Sequence, residues 1–276
     1  LFITGKVARA ASKQFLVQVN NYNNVERKVT FKQQLMHFCS FADSALDKID
    51  GWLGRISKKD IQYTNEQLFI DLNEQQQGAI FIGSHLGNLE VCRALSQHRS
   101  SKKINVLVFT HHAVEFNKML KKINPAVSVN LIQVSDMGPD LAILLKDKVE
   151  QGEIVVIVGD RTSATTGERS TRVEFLGKPA SFSQGPFILA ALLDCPVYFL
   201  FCLKDKKTKK YHVIFEHYSQ TLKIPRSQRQ GLLTTVITDF SARLGFYAAR
   251  YPYQWFNFYD FWQNDQQVER SNAKEK

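Results

Sequence analysis

The chain of 276 residues carries 36 Lys and Arg against 26 Asp and Glu, a net charge of +10, with a pI near 9.4. At 44% hydrophobic and 22% charged residues it is neither disordered nor fibrous, and a chain of this length buries enough surface to need no disulfide or metal. No run of about 18 apolar residues occurs, which excludes a transmembrane helix in this sequence, and the excess of cations favours nucleic acid, an anionic membrane face, an acidic carrier protein or a phosphorylated substrate.

Residues 1–50 read as helical and amphipathic, with Phe31, Leu35, Phe38, Phe41 and Leu46 at helix-like spacing. Asp50-Gly51 is a turn signal, and a short segment through Asp60 follows. Short β-branched runs then occupy 79–82, 106–109, 129–132, 154–158 and 197–201, separated by predicted helices near 87–97, 114–122, 139–151 and 184–193. Strands alternating with helices predict an α/β fold with a largely parallel central sheet. A further strand at 211–218 forms a hairpin across the basic turn 204–210, and a long helix near 226–249 precedes an aromatic tail. The organisation predicted is a helical section at 1–60, one α/β domain at 61–262 and a polar tail at 263–276.

The four cysteines, Cys39, Cys92, Cys195 and Cys202, form no CxxC pair, so neither a zinc ribbon nor a redox dithiol nor a secreted disulfide framework is expected. The first residues are Leu1-Phe2-Ile3 without Met, and the expectation is that an N-terminal segment precedes them.

The most informative stretch is Ser84-His85-Leu86-Gly87-Asn88-Leu89-Glu90. An apolar strand ends in a polar, glycine-containing turn that opens a helix, the place where ligands bind a parallel sheet. On one regular helix His85 and Glu90 would point about 140° apart, so they meet only if His85 sits in the turn, which Gly87 and Asn88 permit. An imidazole oriented by a carboxylate is a general base; the plain alternative is a turn residue and a helix cap. Ser84 is one place too early for the nucleophile elbow G-x-S-x-G. His111-His112 follows another strand and could face the same site, yet no partner stands at ligand spacing, so no metal is expected.

A second strand end carries Gly159-Asp160-Arg161. Arg161 has the planar donor fork that holds phosphate; the alternative is an Asp160–Arg161 pair that closes the loop. The loop reading continues through 162–179, with 162–171 as a mobile cover. No GxxxxGK[ST] or GxGxxG occurs, which disfavours an NTPase or dinucleotide enzyme. The tail from Tyr251 to Trp262 holds eight aromatics in twelve residues and reads as a terminal strand buried on both faces, or else as a lipid-facing element.

These motifs, in this order, are similar to those of the lysophospholipid acyltransferase superfamily, in its lipid A biosynthesis (late acyltransferase-like) branch, over roughly residues 30–262. The H-x4-D/E motif corresponds to His85 and Glu90; Gly159-Asp160-Arg161, Phe175-Leu176-Gly177-Lys178-Pro179-Ala180, Gly185-Pro186, Cys195-Pro196-Val197 and Tyr251-Pro252-Tyr253-Gln254-Trp255 follow. Within that branch the ending resembles bacterial predicted acyltransferases encoded with aryl-polyene or related lipid gene clusters. The resemblance implies transfer of an acyl chain from an acyl carrier protein or coenzyme A thioester to a hydroxyl or amine of a lipid acceptor, with no cofactor. It implies that His85 is the base, that Glu90 holds its tautomer, and that Arg161, Asp160, Asn88, Gly87 and Ser84 bind substrate. Backbone N–H groups near Gly87 and Asn88 would form the oxyanion hole. It further implies an anionic membrane surface as partner, at the cytoplasmic face of a bacterial inner membrane, and no nucleic acid. A noncatalytic lipid- or carrier-binding module with the same fold is the alternative. The sequence leaves the oligomeric state open.

Overall fold

The computed structural model describes residues 5–53, 55–75, 77–89, 91, 102–108, 130–134, 138–161 and 169–262. Two helices, α1 (Lys6–Tyr22) and α2 (Phe31–Trp52), come first. A capping box starts α2: Gln33 N donates to Thr30 Oγ1, and Thr30 N donates to Gln33 Oε1. The predicted turn at Asp50-Gly51 is corrected, because α2 runs through both and its backbone closes at Leu53. A single glycine lowers helix propensity without ending a helix.

The remaining elements are β1 (Ile61–Thr64), α3 (Glu66–Glu74), β2 (Ala79–Gly83), β3 (Ile104–Val108), β4 (Asn130–Gln133), α4 (Pro139–Glu150), β5 (Ile154–Val158), β6 (Ser170–Phe175), β7 (Lys178–Ser183), α5 (Gly185–Leu193), β8 (Val197–Lys204), β9 (Tyr211–Ser219) and α6 (Arg229–Arg250). The predicted helix at 114–122 and most of that at 87–97 lie outside the described residues. β1 and α3 had no counterpart in the sequence reading.

Among the described residues the central sheet has seven strands in the order β1-β9-β8-β2-β5-β3-β4. Every neighbouring pair is parallel except the β8–β9 hairpin. This is an α/β fold with a mostly parallel sheet in a single domain. The central strands β2, β5 and β8 are buried along nearly their whole length, as expected of strands covered on both faces. Ile80 and Ile82 point into one core layer, with Phe187 of α5, Phe240 of α6 and Phe15 of α1. Ala79 and Phe81 point into the other, with Leu72 of α3 and Ile61 of β1. The N-terminal helix α1 thus shares the principal core with the sheet.

Two readings need correction. Residues 170–179, expected as loop, belong to the antiparallel hairpin β6–β7, which runs on to Ser183. Leu176 and Gly177, both at positive φ (53° and 80°), make its turn, and the alternating burial of β6 is a period too short to stand out beside longer runs. Residues 162–168 lie outside the described residues. The tail 251–262 is not a strand: it makes one isolated antiparallel bridge, Leu86 with Trp255. It is nevertheless core, with Trp255 fully buried and Phe256 and Phe261 nearly so.

Candidate active site

β2 and β5 are adjacent and parallel, with Gly83 opposite Val158. Gly159 N donates to Gly83 O at 2.9 Å and carries the pairing one step further. Two residues beyond each strand stand His85 and Asp160, so the register brings them together at the carboxyl edge of the sheet. His85 Nδ1 lies 2.8 Å from Asp160 Oδ1, and His85 N donates to Asp160 Oδ2 at 2.8 Å. The carboxylate is completely buried, whereas the imidazole is 28% exposed. Burial alone would raise the Asp160 carboxyl, but the facing His85 and the hydrogen bonds from His85 and Trp255 outweigh it and hold it below the ordinary carboxylate range. An ionised carboxylate only accepts, so in the neutral imidazole the proton sits on Nδ1 and the lone pair on Nε2.

Asp160 was expected to bind substrate. Its two oxygens are instead turned inward onto His85 and the indole N–H of Trp255, 2.9 Å from Oδ2. Glu90, the partner expected for His85, lies outside the described residues, as do His111 and His112.

The backbone N–H groups of the turn are committed, which corrects the expected oxyanion hole. Gly87 N donates to Gln254 O at 2.8 Å and Asn88 N to Cys202 O at 2.8 Å. Leu86 N donates to the Ser84 hydroxyl at 3.2 Å, and Ser84 itself is buried. Asn88 is buried too: its Nδ2 donates to Ser44 O at 3.0 Å, while Oδ1 has no partner among the described residues. Arg161 is exposed. Its Nε donates to Asn257 Oδ1 at 3.2 Å, and its guanidinium lies 6.0 Å from the Tyr259 ring, so its terminal N–H groups are free for a ligand among the described residues.

The tail holds this assembly. Asn257 Nδ2 donates to Asp160 O at 3.3 Å, and Phe256 N donates to His85 O at 3.0 Å. Gln254 clamps both backbone groups of one β8 residue, accepting from Lys204 N at 2.9 Å and donating to Lys204 O at 2.7 Å. Sequence reasoning missed Gln254, Trp255, Asn257 and the buried His37. A signal existed for Trp255, since a buried indole N–H must find an acceptor.

A cavity of about 260 Å³ adjoins the turn, with walls that include Met36, Cys39, Asn88, Lys206, Lys209 and Phe256. Lys204, at its edge, is paired with Asp47 at 2.6 Å, and Asp47 also accepts from the Tyr211 hydroxyl. Among the described residues no group of three His, Cys, Asp or Glu side chains is placed to hold a metal ion.

An imidazole oriented by a buried carboxylate, at the carboxyl ends of adjacent parallel strands, has the chemistry to act as a general base. Residues 29–230 match the profile of the bacterial lipid A biosynthesis acyltransferase family, 202 of the 276 residues, and the chain belongs to that family. Acyl transfer to a lipid is the activity this membership assigns. No curated protein matches the chain.

Proposed function

We propose that the chain is a membrane-peripheral acyltransferase, moving an acyl group from an acyl carrier protein or coenzyme A thioester to a hydroxyl or amine of a lipid or lipid precursor. The observation that carries this reading is the 2.8 Å contact between His85 Nδ1 and Asp160 Oδ1, which leaves Nε2 as base. Nε2 takes the acceptor's proton as its oxygen or nitrogen attacks the thioester carbonyl. The tetrahedral oxyanion collapses, the C–S bond breaks, and the departing thiolate takes the proton back from Nε2. Arg161 supplies N–H groups to the oxyanion or to a substrate phosphate, the part left open by the committed backbone of Gly87 and Asn88. Lys206 and Lys209 beside the cavity are where we place an anionic group of donor or acceptor. With Asp160 on Nδ1, Glu90, to which the family resemblance gives the tautomer of His85, is left the part of a second carboxylate that stabilises the imidazolium.

His85→Ala is expected to lower turnover by roughly 10²- to 10⁴-fold in a protein that still folds, measured as acylated product by mass spectrometry with acyl carrier protein and coenzyme A donors side by side. Full turnover in this variant would sink the proposal. Lipid binding by a wild type that forms no product would favour the noncatalytic module instead.

The peripheral location rests on α2. Leu35, Leu46, Ile49 and Leu53 are 39%, 61%, 45% and 40% exposed, and on a helix these positions fall within about 60° of one another. Exposed Arg27, Lys28 and Lys32 stand at the start of this apolar row. Apolar insertion beside cations suits an anionic bilayer; among the described residues no helix is long and apolar enough to cross one. Leu46→Glu combined with Ile49→Glu is expected to weaken flotation with phosphatidylglycerol vesicles by at least about tenfold, since each buried Leu or Ile contributes about 1.5–3 kcal/mol. Unchanged flotation would place the membrane contact elsewhere.

A further inference from the structure

Asp160 needs more than His85 to stay ionised in a fully buried place. A buried carboxylate is tolerated only when donors converge on it. Three do so: His85 N and Trp255 Nε1 on Oδ2, at 2.8 and 2.9 Å, and His85 Nδ1 on Oδ1. The indole nitrogen can only donate, so its bond favours the ionised carboxylate. The Trp255 ring is fully buried among Phe15, Phe175 and Phe261, with centroids 4.9, 5.0 and 4.8 Å away.

The backbone of Trp255 is held in its turn. Its carbonyl accepts from His37 Nε2 at 2.9 Å. A carbonyl cannot donate, so neutral His37 carries its proton on Nε2, and its Nδ1 accepts from the Ser12 hydroxyl at 3.0 Å. Burial is the larger influence on His37, and despite the bond to Trp255 it lowers the ring to about 4; the ring is neutral at neutral pH. His37 and His85 are therefore held in opposite tautomers, His37 as Nε2–H and His85 as Nδ1–H.

We infer that Trp255 and His37 are positioning residues for acyl transfer: Trp255 ties down one oxygen of Asp160 so that the other fixes the tautomer of His85, and His37 places Trp255. This rests on the reading of His85 as the base. Apolar side chains of equal size would pack the same core without these bonds. What distinguishes the residues present is a continuous run of donors and acceptors from α1 through α2 and the tail to the imidazole.

The test uses the full chain labelled with nitrogen-15, and reads the imidazole tautomers by NMR beside steady-state kinetics. Trp255→Phe keeps one aromatic ring in the core and removes the N–H. It is expected to lower kcat by about 10- to 100-fold, the range typical of hydrogen-bond partners that orient metal-bound histidines, to leave KM unchanged, and to add an Nε2–H population at His85. His37→Leu is expected to act in the same direction. His37→Gln, whose amide can donate to Trp255 O and accept from Ser12, is expected to restore most of the lost kcat. If His85→Ala is inactive while Trp255→Phe retains full kcat and the Nδ1–H tautomer, the positioning role is overturned and the base survives. If His85→Ala is active, the reading of the base fails by itself. Should Trp255→Phe not fold, equal kcat in the His37→Leu and His37→Gln proteins overturns the inference.

Discussion

Asp160→Asn is expected to fold and to lose roughly 10³- to 10⁴-fold in kcat, the scale found when an orienting carboxylate is exchanged for its amide beside a catalytic histidine. The geometry dictates how. Two N–H groups, from His85 backbone and Trp255, converge on Oδ2, so an asparagine must place its carbonyl oxygen there. Its NH₂ then faces His85 Nδ1. A donor against Nδ1 forces the imidazole into the Nε2–H tautomer, and the lone pair needed by the acceptor's proton is gone. The two bonds to Oδ2 survive, so thermal stability changes by no more than about 1–2 kcal/mol. Kinetics together with the imidazole nitrogen shifts would check this. Glu90→Gln run in parallel separates the two carboxylates: if it flips the tautomer and Asp160→Asn does not, Glu90 orients the base.

Gly87→Ala is expected to be the most damaging small substitution at the turn, destabilising the protein by at least about 3 kcal/mol, or about 6–12 °C in melting temperature for a chain of this size. Gly87 has φ of +79°, a conformation that costs an ordinary residue about 1–2 kcal/mol. A Cβ there would lie 1.9 Å from Cys202 O, well inside contact distance. That oxygen accepts from Asn88 N, while Gly87 N is bound to Gln254 O, so relieving the clash pulls the turn off β8 and off the tail together. His85 belongs to the same turn, and turnover falls with stability. A calorimetric midpoint within 2 °C of wild type would contradict this account, since even 1 kcal/mol moves it by about 2–4 °C.

Much of the site was legible at the level of strand ends. The apolar runs 79–82 and 154–158 became β2 and β5, and the polar turns following them hold His85 and Asp160. What linear reading could not supply was that the two strands are neighbours with Gly83 opposite Val158. Spacing within one turn therefore drew attention to Glu90, while the contact seen at His85 comes from a residue 75 positions away. The tail shows the same limit from the other side. Its aromatic density marked it as buried, but period-two alternation suggested a strand, and the backbone instead takes turns that let Gln254, Trp255 and Asn257 each reach a different polar target. His37 carried no signal at all, because a histidine on an amphipathic helix looks the same whether it faces water or Trp255.

By itself the sequence determined the alternation of strands and helices, the excess of ten positive charges and the two polar turns at strand ends, because these depend on local periodicity and composition. The tertiary structure alone decided which carboxylate meets His85, that the backbone donors of the turn are already taken, and that the tail buttresses the site. Each of these depends on strand order and on hydrogen bonds between distant segments, and neither is a property of any local window of residues.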